Sequence, residues 1–280
     1  MSAFTLADGV WAGPLRAPRN ISAEAKGSIH DDATAQRLGL TGGTVAGSIH
    51  MEQFPPLMAH LFGEAWNKAG GLSLKFKAPT TDREEVRCHA RLVTDIRAEV
   101  WMEKPDGTRI SEGTASLGPD EDSTLQRIVR GLRAPGGLRM LARARAGAEI
   151  SGVPAIVMAE RLARHLPGVT EKLAIYESGA LPPNLAIDAL RAVERGLVPV
   201  EGPFVGLYGA IELQMLDGPI YAGRAYLARG RLLGFDESPR TEGIWYESVL
   251  SDKETGRDVA SMIMQSRLMK ASSPLWAAAG

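Results

Sequence analysis

The sequence predicts an α+β chain made of two tandem copies of one unit, each a long central helix wrapped by an antiparallel β-sheet. Three observations carry this. Residues 30–66, HDDATAQRLGLTGGTVAGSIHMEQFPPLMAHLFGEAW, run from an acid-rich histidine motif through a Gly-rich turn into an apolar segment with helical spacing. The next residues, AGGLSLKFKAPTTDREEVRCHARL, read as half-buried strands. The same order then recurs: Pro79 and Pro219 stand about 140 residues apart, and the hairpin glycines Gly107 and Gly256 about 150 apart. A near-constant offset across several elements is the signature of two diverged copies.

The bulk properties agree with this size. A chain of 280 residues suits one large domain or two of about 140. With 44% hydrophobic residues, 23% charged residues and a net charge of -1, it carries no excess that favours nucleic acid or a membrane surface. Cys88 is the one cysteine, so neither an intramolecular disulfide nor a Cys-based zinc site can form, which fits a cytoplasmic protein. The first residues, MSAFTLADGVWAGPLRAPRN, lack a basic region followed by an apolar run, and no stretch reaches about 18 apolar residues. The chain is therefore read as neither secreted nor membrane-spanning.

Taken in order, residues 1–29 are rich in Gly, Pro and Ala, and Phe4–Leu6 and Val10–Trp11 suit an edge strand. Residues 31–40, DDATAQRLGL, suit a short helix with Asp31 or Asp32 as N-cap and Gly39 near its end. Ala46, Ile49, Leu57, Met58, Leu61, Phe62 and Ala65 then fall near one helical face. Pro55-Pro56 interrupts them, giving either one kinked helix or two consecutive ones. Leu72, Leu74 and Phe76 alternate with Ser73, Lys75 and Lys77, and further strands are expected at 85–93, 96–103 and 109–117. From Ser123 to Ala148 the chain holds six arginines and no acid. The expected division is a first unit at 1–118, an Arg-rich linker with some helix at 119–150 and a diverged second unit at 151–280. In that second unit a helix is expected at 185–197, opened by Pro182-Pro183-Asn184, then strands at 211–215 and 221–233 and a hairpin of 244–250 with 259–269.

The Gly-rich lead into the helix and the phrase LSLKFKAPTTDREEVRCHARL resemble the hotdog fold of the MaoC-like acyl-CoA hydratases and dehydratases, and the duplication resembles its tandem, double-hotdog form. The resemblance covers most of residues 20–118, and residues 180–273 as a pattern. In that family Asp-x-Asn-Pro-x-His precedes the central helix, its Asp and His acting as acid and base on a water and on the substrate's alpha carbon. With His30 on the family's histidine, Ala25 stands at the aspartate, Gly27 at the asparagine and Ser28 at the proline. The histidine is kept and its partner is not; Glu24, or Asp31 and Asp32, offers a carboxylate from another direction.

The candidate catalytic residues are His30, Asp31 and His50, and the candidate substrate-binding residues are Gly43, Gly47, Ser48 and Glu52. Imidazole titrates near neutral pH, so His30 suits a general base; the alternative is a loop histidine. Asp31 and Asp32 read more readily as helix caps than as catalysts. The glycines could turn backbone N–H groups toward a thioester carbonyl, where negative charge develops, or serve turns and close packing. The resemblance places a glycine such as Gly47 beside that carbonyl. His50 and Glu52 extend the polar patch along the helix, or else partner each other or the sheet. The histidines lack metal-ligand spacing, and no Gly-x-Ser-x-Gly, Gly-x-Gly-x-x-Gly or Walker loop occurs, so neither a metal nor another cofactor is expected. Arg127 to Arg145 read either as a clamp for the phosphates of coenzyme A or as a solvated linker or oligomer contact.

The resemblance implies a hydratase/dehydratase-type lyase acting on an acyl-CoA or similar small-molecule thioester, with acyl-CoA thioesterase and non-catalytic acyl-ligand binding as alternatives. The second unit, whose helix opens LPPNLAIDAL without histidine, would close the pocket. A tandem repeat pairs its own halves, and a homodimer of such chains is left open.

Overall fold

The computed structural model describes residues 4–133 and 135–277. Its strands, in chain order, are β1 Thr5–Ala7, β2 Val10–Ala12, β3 Gly70–Phe76, β4 Arg87–Thr94, β5 Arg97–Glu103, β6 Arg109–Leu117, β7 Glu149–Ala155, β8 Gly206–Met215, β9 Tyr226–Glu237, β10 Thr241–Asp252 and β11 Asp258–Met269. They form one 11-stranded antiparallel sheet in the order β1-β2-β4-β5-β6-β3-β8-β11-β10-β9-β7. The two halves therefore meet at β3–β8, where Leu72 pairs with Leu213 and Leu74 with Ile211. All four side chains are buried, so the seam is held by apolar burial as well as by its ladder.

The first half carries α1 Asp32–Arg37, α2 Gly47–Met51, α3 Pro55–Phe62 and α4 Trp66–Ala69. Of the two forms left open at Pro55-Pro56, the structure takes two helices, α2 and α3, with the prolines in the first turn of α3, where a missing N–H costs no internal bond. Then come α5 Thr124–Arg130, α6 Ala159–His165, α7 Ala174–Glu177, α8 Pro183–Leu190, α9 Glu194–Leu197 and α10 Pro274–Ala277. The helix expected at 185–197 is thus α8, a short 3-10 turn and α9. α2 packs against α8, and Met51, Phe54, Leu185, Ile187 and Ile211 belong to one hydrophobic core shared by both halves.

The Arg-rich segment is anchored to the fold at two places, although most of its described residues are exposed or half-buried. Leu125 of α5 is buried, and its N–H donates to Ser73 Oγ at 2.9 Å. Met140 and Leu141 are buried, and the buried Glu242 accepts from the N–H groups of Arg139, Met140 and Leu141 at 2.8, 3.1 and 3.0 Å. Edge strand β7 begins within the last two residues of this segment, and its sequence gives no strand signal. Among the described residues no helix is long and apolar enough to cross a membrane.

Candidate active site

His30 sits on the loop before α1 and is fixed through its backbone. Its carbonyl accepts from Asn20 Nδ2 at 2.8 Å, and its N–H donates to Ser28 Oγ at 3.2 Å. Gly43 must be glycine here, because a Cβ would lie 2.2 Å from the His30 carbonyl oxygen. The imidazole Nδ1 lies 2.7 Å from the Thr44 carbonyl. A carbonyl only accepts, so Nδ1 carries a proton, and in the neutral ring the lone pair is left on Nε2. That ring is half-buried on the wall of a cavity of about 860 Å³ formed between the halves.

Gly47, the first residue of α2, lines the same cavity, and its N–H has no acceptor among the described residues. A Cβ there would come within 2.6 Å of the Phe76 ring, so close packing and an open amide are served by the same glycine. His50 also lines the cavity; its Nε2 lies 2.8 Å from Thr80 Oγ1. Burial drives its pKa down to about 4, leaving a neutral imidazole.

The other four predicted residues do not line this cavity. Asp31 is buried beneath the loop: its carboxylate accepts from Thr34 Oγ1 at 2.8 Å and Gly27 N–H at 3.4 Å, and the Thr34 bond above all holds its pKa low. It anchors the loop that carries His30. The Gly43 N–H is taken by Asp32 Oδ1 at 2.7 Å. Ser48 Oγ donates to Asn184 Oδ1 at 2.7 Å. Glu52, about 140° around the helix axis from Gly47, faces the second half, where its Oε1 meets His165 Nε2 at 2.7 Å and accepts from Asn184 N–H at 3.1 Å. Burial pushes the Glu52 carboxyl up, opposed by His165.

The second half supplies wall residues that the sequence did not single out. Arg191, just past α8, donates through Nε to Glu194 Oε2 at 2.8 Å and through Nη1 to the Tyr208 hydroxyl at 2.5 Å. Ser266 Oγ donates to the other Glu194 oxygen at 3.4 Å. Arg195, Arg240 and Arg267 also line the cavity, and none has a carboxylate partner among the described residues. The arginines from Arg127 to Arg145 do not reach it. Arg191 and Glu194 stand three apart at a helix end, a pairing visible in the sequence, but nothing local shows that they face His30. A second cavity, of about 40 Å³, lies at the corresponding place in the second half, lined by Tyr176, Leu181, Pro183 and Trp66 among others. Among the described residues no group of three or more His, Cys, Asp or Glu side chains is placed to hold a metal ion.

No family model matches the chain, and no curated protein does. Solved structures do match over nearly its whole length. A conserved protein from Mycobacterium tuberculosis described as having a double hotdog fold is 13% identical, with a TM-score of 0.63 over 94% of this chain and 97% of that one. A Chloroflexus aurantiacus protein with a MaoC domain, provisionally described as a dehydratase, is 12% identical, with a TM-score of 0.60 over 96% and 94%. The dehydratase domain of PpsC from Mycobacterium tuberculosis, solved with C12:1-CoA, is 13% identical, with a TM-score of 0.50 over 96% and 98%. The chain has the double-hotdog fold expected from its repeat.

Proposed function

We propose that this double-hotdog protein is a hydratase/dehydratase-type lyase that moves a proton next to the carbonyl of an acyl thioester. The observation that carries the reading is the 2.7 Å contact of His30 Nδ1 with the Thr44 carbonyl: it assigns the proton of the neutral ring to Nδ1 and leaves the Nε2 lone pair to a residue that lines a cavity large enough for an acyl chain. The Gly47 N–H, which has no acceptor among the described residues, would receive the carbonyl oxygen as enolate charge develops. His50 stays neutral beside them and shapes the polar wall. Asp31 acts through the loop and does not touch the substrate. Arg195, Arg240 and Arg267 suit a carrier that bears phosphate, such as coenzyme A. The dehydratase neighbours, one of them holding an acyl-CoA, support the same class.

Thioester hydrolysis by a carboxylate is the weaker reading, because the acid on this wall, Glu194, is committed to Arg191. The test is incubation of the protein, and of His30→Ala beside it, with enoyl-CoA, 3-hydroxyacyl-CoA and saturated acyl-CoA thioesters, read by mass spectrometry. Gain or loss of water that falls by about 10²–10⁴-fold in His30→Ala is the expected result. Release of free coenzyme A would instead mark a thioesterase, and no conversion of any thioester would count against an enzyme of this class.

A further inference from the structure

Proton transfer by His30 leaves one role in a dehydration unfilled, and the residue assigned to that role depends on the lyase reading of this cavity. Removing water from a 3-hydroxyacyl thioester needs a base for the alpha proton and a donor for the departing oxygen. Ala25 can supply no proton, and His30 has no carboxylate partner among the described residues. A donor must therefore come from elsewhere on the cavity wall.

On the wall of the same cavity, on β8, Tyr208 is half-buried and held in one place. Its hydroxyl oxygen accepts from Arg191 Nη1, and the guanidinium carbon lies 5.1 Å from the ring centroid. Arg191 is itself fixed by Glu194 through both Nε and Nη2, and Glu194 by Ser266. A phenol has one proton to give, and engaging its oxygen as an acceptor restricts where that proton can point. The Tyr208 proton has no acceptor among the described residues. Burial pushes its pKa up to about 12 against the opposing charge of Arg191, so the proton stays on the phenol through the physiological range.

We propose that Tyr208 is a second catalytic residue, which hydrogen-bonds the substrate's 3-oxygen and protonates it as it leaves. In dehydration His30 Nε2 takes the alpha proton, and the C–H electron pair becomes the new C=C bond. The bond from carbon to the 3-oxygen breaks with its pair on oxygen, Tyr208 gives that oxygen its proton, and water departs. The phenolate left beside Arg191 is reprotonated from the His30 imidazolium through solvent, which restores both groups. Arg191 and Glu194 are positioning residues in this scheme; hydration is the same path reversed.

Tyr208→Phe keeps the ring and removes the proton. With 3-hydroxybutyryl-CoA as substrate the expected result is a kcat lower by about 100-fold or more with KM raised by about tenfold, because the hydroxyl is used in the bound substrate and more strongly in the transition state. A second measurement is independent of turnover. Calorimetric titration should show the unmodified protein binding 3-hydroxybutyryl-CoA about tenfold tighter than butyryl-CoA, and Tyr208→Phe binding the two alike. Full turnover in Tyr208→Phe alongside an inactive His30→Ala overturns the role of Tyr208 and leaves the proton-transfer reading standing. If the unmodified protein shows no turnover, calorimetry decides. Equal binding of the two thioesters by the unmodified protein, or a preference that survives in Tyr208→Phe, overturns it too.

Discussion

The two halves share a backbone frame and differ in what that frame encloses. In the first, Val45 N–H donates to Thr80 O at 2.9 Å; in the second, Leu181 N–H donates to Ile220 O at 2.8 Å. One residue earlier, Thr44 bridges Thr81 and Ala180 bridges Tyr221. The central helix starts two residues after each donor, at Gly47 and Pro183. From these matching starts the first half opens onto about 860 Å³ and the second onto about 40 Å³. Around the second start, Tyr176, Leu181 and Pro183 line what space is left together with Trp66, Pro55 and Leu213, and Glu52 occupies the Asn184 N–H. Around the first, Gly47 brings no side chain and its N–H has no acceptor among the described residues. Backbone hydrogen bonds tolerate most side chains, so the frame survives divergence; openness depends on a few side-chain volumes and one borrowed carboxylate.

The strongest way to break this comparison is to remove that carboxylate. Glu52 follows its helix start by five residues, as does Asp188. The side chains of Glu52 and His165 are only 3% and 7% exposed, and Glu52→Ala would leave His165 and the Asn184 N–H without their acceptor. The expected cost is about 3–5 kcal/mol. The Asp188 side chain is 24% exposed beside Arg161, and Asp188→Ala should cost about 1 kcal/mol or less. Chemical denaturation of the two variants measures the difference. Equal losses would mean that the two carboxylates play one role and that the halves are more alike than their cavities.

Much of the frame is legible in the sequence because it repeats a local pattern. The strand expected at 109–117 matches β6 at both ends, and the alternation of Leu72, Leu74 and Phe76 falls within β3, which is buried on both faces over Gly70–Leu74 rather than half-buried, because α5 covers the Ser73 side. Glu149–Ala155 gives no such signal, since it is an edge strand, largely exposed, and pairs along one side only. The candidate site divides the same way. His30 and Gly47 lie on one short stretch, to which the family resemblance points although only the motif's histidine is kept. Tyr208 and Arg191 reach that cavity through the β3–β8 seam, a pairing between repeats that no local spacing encodes. His165 meets Glu52 across 113 residues for the same reason.

A smaller difference between the halves should show in their response to pH. His50 occupies the fourth position from its helix start, where the second half has Ala186 and nothing to titrate. Folding lowers the His50 pKa from 6.5 to about 4. Between those values the unfolded chain binds more protons than the folded one, so stability falls as pH falls. From pH 7 to pH 5 the contribution is about 2 kcal/mol. His50→Gln can keep a hydrogen bond to Thr80 without titrating, and its denaturation free energy should lose that much less over the same interval. Parallel pH curves for the two proteins would show that the burial of His50 does not separate the halves energetically.

The smallest effect on stability, and the sharpest on the cavity, is expected from Gly47→Ala. The added Cβ would stand 2.6 Å from the Phe76 ring, which itself lines the cavity, so the ring must shift into the open volume. Because a ring edge on a cavity wall can move, the stability cost should be about 1 kcal/mol, at the low end for overpacking. The displaced ring would take space that the second half already fills with side chains such as Pro183 and Tyr176. Binding of butyryl-CoA, followed by calorimetry, should therefore weaken by about tenfold while the denaturation free energy falls by only about 1 kcal/mol. Strong binding retained in Gly47→Ala would mean that side-chain volume at the helix start does not set openness, and the difference between the two cavities would have to come from the loops that precede their helices.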